Sequence, residues 1–190
     1  MKTLTRIRSK FCAFKDAVAV APHSLKEQHE LAISNALLVA IRQKADFLRL
    51  GVAGVEPDVI YRIAERIVGI EVATAYYDDT QAKTEWELAR GNLKPHPSGV
   101  THIGGWHEPD ALIAAQVQQE LDDKCAKTYT GTDSTWLCIE QHAPLSDVAV
   151  TLDVVGQLKV PQKHSFTRIY LGSYAPIGDG GGFRAYEVVV

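Results

Sequence analysis

Glu56-Pro-Asp-Val-Ile-Tyr-Arg-Ile-Ala-Glu-Arg-Ile-Val-Gly-Ile-Glu-Val-Ala73 is the stretch on which the fold turns. Its β-branched and aromatic residues break at Ala64-Glu65, and a turn there makes a hairpin of strands over 57–63 and 66–75. Side chains alternate along a strand. Val59, Tyr61 and Ile63 therefore share one face with Arg66, Val68, Ile70 and Val72. Asp58, Ile60, Arg62, Ile67, Gly69, Glu71 and Ala73 share the other. In this register Asp58 and Glu71 stand directly opposite each other. Like charges so placed repel, and a divalent cation such as Mg2+, which takes hard oxygen ligands, would compensate them. The competing reading is a surface hairpin whose carboxylates sit in water. Ala-Glu is not a favoured two-residue hairpin turn.

Upstream, Ser24 and Glu27 have the spacing of a capping box, with Pro22 just before it. Leu31, Leu37, Leu38, Ile41 and Ala45 then recur at helical spacing, which predicts a first helix over 25–45. Phe47 to Val55 reads as a strand ending in Gly51 and Gly54. Downstream, residues 78–90 have helical character, and the Pro/Gly-rich 92–107 is a long loop. Pro109 opens a second helix that runs to about Tyr129. Trp136-Leu-Cys-Ile139 suits a buried strand, and 166–171 and 183–190 are two more. The Gly178-Asp-Gly-Gly-Gly182 run opens no helix, so it reads as a flexible turn and not a phosphate cradle. The order is helix, three strands, loop, helix, strand and further strands, an α/β pattern.

With 190 residues the chain has room for one well-buried core and not comfortably for two. Hydrophobic content of 46% with 23% charged residues is that of a soluble protein, and no apolar run approaches the ~20 residues of a membrane span. Lys2, Arg6, Arg8, Lys10 and Lys15 make residues 1–22 a cationic arm ahead of a single domain over 23–190. Lys15 and Asp16 interrupt any apolar centre of a signal peptide, so a cytoplasmic location is expected. A net charge of −3 argues against coating nucleic acid by bulk charge, although one basic groove remains compatible with it. Cys12, Cys125 and Cys138 form no C-x-x-C pair, so neither a disulfide framework nor a thiolate zinc site is supported.

On the second helix, Ile113, Val117 and Leu121 form the inward stripe, and its next positions are Lys124 and Thr128. Lysine in an apolar stripe has two readings. It snorkels past the end of the sheet, or it points into a polar site shared with the hairpin carboxylates. Lys127 is expected in solvent. A zinc site from His96, His102 and His107 is a rival, but their spacing matches no strong pattern. His23, His29, His142 and His164 are scattered along the chain, and no serine or cysteine sits in a nucleophile elbow.

Together these pieces resemble the PD-(D/E)xK nuclease superfamily, with its restriction-endonuclease-like fold. The resemblance runs from about residue 24 to 140 and implies an α-β-β-β-α-β core, a mixed central sheet flanked by helices. Pro57-Asp58 and Ile70-Glu71-Val72 match its motif, while Ala73 stands where lysine is usual. In some branches the lysine comes from the second helix, and Gln118 to Tyr129, with Lys124, looks like that branch. A second pair, Pro109-Asp110, starts a helix and has no acidic partner on a following strand.

The resemblance implies phosphodiester hydrolysis in nucleic acid, DNA foremost, with Mg2+ or Mn2+ as cofactor. Asp58 and Glu71 would hold the metal with the Val72 carbonyl, and Glu30 would reach it from the first helix. Lys124 would orient the attacking water or neutralise the phosphate. A homodimer is compatible with this reading. Ala73 sustains the alternative, a catalytically inactive nuclease-fold module that binds nucleic acid or a protein partner.

Overall fold

Helix α1 (Leu25–Ala40) begins where two backbone amides find side-chain acceptors. The Glu27 amide donates to Ser24 Oγ at 3.2 Å, and the Ser24 amide donates to Glu27 Oε2 at 2.6 Å, which closes the capping box. The computed structural model describes residues 24–76, 79–94, 109–142, 148–175 and 182–189. Beyond α1 it contains β1 (Asp46–Leu50), β2 (Val59–Ile63), β3 (Arg66–Tyr76), α2 (Asp79–Ala89), α3 (Pro109–Cys125), β4 (Ser134–His142), α4 (Val148–Gln157), β5 (Arg168–Ala175) and β6 (Gly182–Val188).

The six strands form one mixed sheet in chain order, β1 to β6. β1, β2 and β3 are antiparallel neighbours, β3, β4 and β5 run parallel, and β6 closes the far edge antiparallel. Parallel neighbours need a crossover, and α2 with α3, then α4, lie in those two connections. One apolar core lies beneath α1, where Ile33, Leu37 and Leu38 meet Val59, Tyr61, Ile70 and Val72. A second lies on the opposite face, where Ile113, Val117 and Leu121 of α3 meet Ala73, Leu137 and Ile139. β4 is buried on both faces from Thr135 to Gln141, as a central parallel strand should be.

The hairpin has the register read from its sequence: Val59 pairs with Ile70, Tyr61 with Val68 and Ile63 with Arg66. Ala64 takes up the turn with φ 53°, a left-handed conformation that disfavours a side chain. Several boundaries differ from expectation. α1 stops at Ala40, not residue 45, because Arg42 adopts φ 55° and the Gln43 amide turns back to the Leu38 carbonyl at 2.8 Å. β1 ends at Leu50, where the Gly51 amide donates to the Asp58 carbonyl at 2.9 Å and residues 52–56 turn. α3 ends at Cys125, short of Tyr129. β4 continues past Ile139 to His142, and α4 occupies a region in which the sequence analysis places no element. The N-terminal arm and His96, His102 and His107 lie outside the described residues.

Two glycines hold Pro57 in place ahead of Asp58. A Cβ on Gly51 would overlap the Pro57 carbonyl group, and one on Gly69 would overlap the Pro57 ring and sit 2.9 Å from Thr132 Cγ2. Gly69→Ala should therefore cost about 1–3 kcal/mol through overpacking, read by urea unfolding. Gly156→Ala, in α4 with nothing within 4 Å of its new Cβ, should be neutral or stabilising by up to about 1 kcal/mol. Equal effects of the two substitutions would contradict the close packing assigned to Pro57.

Candidate functional site

Asp58 stands immediately before β2, held there by Pro57, and Glu71 lies at the middle of β3. Each carboxylate is tied to the other strand's backbone by one oxygen. Asp58 Oδ2 accepts from the Val72 amide at 2.9 Å, and Glu71 Oε2 accepts from the Asp58 amide at 3.3 Å. Both sit on the sheet face that α3 covers, and the α3 stripe continues from Leu121 to Lys124 as its spacing requires. Lys124 Nζ lies 2.5 Å from Glu71 Oε1 with its side chain 16% exposed, so this lysine points inward and does not snorkel. Among the described residues it is Lys124 that pairs with the carboxylates, not Arg62 or Arg66, which are exposed.

The electrostatics follow from this crowding. Burial pushes the Glu71 carboxyl above its ordinary range, the Asp58 charge pushes it further, and Lys124 opposes both. Asp58 is also raised, first by burial, while the Val72 amide and then Lys124 act against it. A buried Glu71 and a partly buried Asp58 thus crowd around Lys124, with Lys26 acting on Asp58 from α1. The cleft above them measures about 310 Å³ and is lined by Lys26, Glu56, Asp58, Glu71, Lys124 and Tyr129, with Lys127 at its exposed margin. The Tyr129 hydroxyl is buried beside Glu71, and burial together with the Glu71 charge raises its pKa strongly.

Glu30 and Val72, which the resemblance implies, both lie next to Asp58. Glu30 is buried in α1 and paired with Lys26 Nζ at 3.1 Å, although its charge still raises Asp58. Val72 engages the site through its amide, which donates to Asp58. Ala73, at the usual lysine position, is packed in the apolar core beneath α3. Lys26 was not apparent as a site residue, although its spacing of four from Glu30 on α1 is a readable signal. Among the described residues no three His, Cys, Asp or Glu side chains converge as metal ligands. Mg2+ is commonly held by one or two carboxylates plus water and substrate phosphate, and the Asp58/Glu71 pair fits that donor set.

A second polar cluster lies on the opposite face of the sheet, across β3 and β4. Glu140 is 2% exposed; its Oε2 accepts from His29 Nε2 at 3.0 Å and from Thr74 Oγ1 at 3.2 Å. His142 Nε2 lies 2.9 Å from Glu85 of α2, and its Nδ1 lies 3.8 Å from Glu140 Oε1. His29 and His142, scattered in the sequence, are thus joined through one carboxylate. The readable sign was the parity of Cys138, Glu140 and His142 on one strand face, hidden by ending the strand at Ile139. No family model matches the chain, and no curated protein or solved structure matches it either.

The cluster makes stability pH-dependent on both sides of neutrality. Burial alone would raise Glu140, but hydrogen bonds from His142 and His29 hold it down at about 2. A depressed carboxyl contributes stability above its unfolded value, 4.5, and loses it as pH falls toward 2. Hydrogen bonds to Glu140 and then Glu85 raise His142 to about 10. A raised imidazole contributes fully below 6.5 and loses that contribution as pH rises toward 10. His142→Gln should therefore lower the melting temperature most near pH 6, with the difference shrinking steadily up to pH 10. A difference independent of pH would contradict a cationic His142.

Proposed function

We propose that this chain is a metal-dependent nuclease of restriction-endonuclease-like fold that hydrolyses phosphodiester bonds in nucleic acid, DNA foremost. The observation that carries the reading is the opposition of Asp58 and Glu71 across β2 and β3, with Lys124 brought to the same cleft from α3. The helix, three-strand, helix, strand order supports it, with α2 as an extra element before α3. So do three lysines around the cleft, Lys26, Lys124 and Lys127, which suit a polyanion despite the net charge of −3.

Asp58 and Glu71 would hold Mg2+ or Mn2+, which when bound lowers the pKa of water and offsets charge on the phosphate oxygens. Hydrolysis forms a bond from the water oxygen to phosphorus and breaks the ester P–O bond. The water's proton passes to solvent and the leaving oxygen departs protonated. Lys124 is positioned to offset charge that grows on the phosphate during this exchange, where one preorganised charge contact is worth two to three powers of ten in rate. Glu30 keeps Lys26 in place at the cleft wall and contributes to the negative field around Asp58. Ala73 favours a second reading, an inactive module that binds nucleic acid or a protein partner through the same cleft.

Cleavage assays separate the two. Purified protein should cut DNA or RNA in the presence of Mg2+ or Mn2+ and stop when a chelator is added. Asp58→Ala and Glu71→Ala should abolish cutting. Lys124→Ala should lower it at least about a hundredfold with an unchanged circular dichroism spectrum, while Lys127→Ala should change it little. Cutting that survives chelation or Asp58→Ala would overturn the metal-dependent reading. Binding with no cutting under any of these conditions would favour the inactive module.

A further inference from the structure

A pocket of about 160 Å³ opens between α1 and α2, where β3 and β4 end. It is lined by Leu25, His29, Tyr76, Glu85, Trp86 and His142. Neither Tyr76 nor Trp86 belongs to either apolar core, and both are only partly buried. Their rings are set by contacts with the histidines: His29 meets Trp86 edge-on at 6.1 Å, and Tyr76 lies against His142 at 5.6 Å. The volume is close to the ~150 Å³ at which an engineered apolar cavity takes up a benzene ring, so one six-membered ring fits and a fused pair is crowded.

The polar groups at the pocket are not free to choose their role. Glu85 receives His142 Nε2 at 2.9 Å and Gln81 Nε2 at 3.0 Å, and as a carboxylate its remaining lone pairs can only accept. A ligand edge facing Glu85 must therefore donate a hydrogen bond, through N–H or O–H. The first turns of α1 stand between this pocket and the cleft, with Leu25 and His29 on the pocket side and Lys26 on the cleft side.

We propose that this pocket receives one unstacked pyrimidine base of a strand whose phosphates occupy the cleft, and that it favours cytosine. Trp86 and Tyr76 supply the stacking surface, and Glu85 accepts from the exocyclic amine, a pairing that thymine cannot offer with its O4. The proposal rests on the nucleic-acid reading of the cleft. It adds a base preference and a second contact surface to it.

The test uses the full chain carrying Asp58→Asn, which blocks cutting while keeping an acceptor for the Val72 amide, and fluorescently labelled dC12 and dT12 single strands. Anisotropy should show dC12 bound about tenfold more tightly than dT12, the scale of one discriminating hydrogen-bond contact to a base edge. Trp86→Ala should weaken binding of both strands by about tenfold, the scale of one base–aromatic contact. Glu85→Gln, which keeps an acceptor for His142, should bring the two strands to nearly equal affinity and guards against misfolding of the tryptophan variant. Equal binding of both strands, unchanged by Trp86→Ala, would overturn the base pocket while leaving the nuclease reading intact. No binding to either strand, or binding that Lys26→Ala and Lys124→Ala leave unchanged, would overturn the nucleic-acid reading of the cleft itself.

Discussion

Two carboxylates held against each other across an antiparallel pair set the terms for the rest of this structure. Asp58 and Glu71 repel, burial penalises both charges, and yet each is fastened to the opposite strand's backbone through one oxygen. Neither can turn away without breaking a hydrogen bond to an amide at the edge of the core. Gly51 and Gly69 give Pro57 the space that keeps Asp58 in register. Lys124 offsets part of the repulsion from the last turn of α3. Lys124 is paired with Glu71, and Asp58 feels it and Lys26 only at longer range, so a cation bridging the two carboxylates would relieve what repulsion remains.

This half of the site was legible because it depends on parity and spacing. A two-residue turn at Ala64-Glu65 makes every pairing across the hairpin follow, and Asp58 must then face Glu71. The α3 stripe likewise carries Lys124 inward, since Ile113, Val117 and Leu121 are all within 1% of complete burial. Ala73 could be read as small but not as core, because its cover comes from a helix about forty residues away.

The Glu140 cluster was illegible for a different reason. A glutamate and two histidines look like surface residues until strand β4 is known to be central and to continue past Ile139. Glu140 is tolerated there because His29, Thr74 and His142 come from α1, β3 and β4 to meet it, and no local pattern encodes that meeting. α4 was hidden by its composition: Val148, Val150, Thr151, Val154 and Val155 have strand propensity, and the helix forms with Thr151 and Val154 packed inward. Lys26 was hidden in the first turn of α1, where a charged residue is unremarkable.

Thermal unfolding with and without Mg2+ tests the central claim most directly, because it needs neither substrate nor activity. If the Asp58/Glu71 repulsion is relieved by a cation, Mg2+ at about a hundred times its dissociation constant should raise the melting temperature by roughly 5–10 °C. The same addition to Asp58→Ala should leave its melting temperature unchanged. A wild-type protein indifferent to Mg2+ and Mn2+, or a variant stabilised equally, would contradict the account.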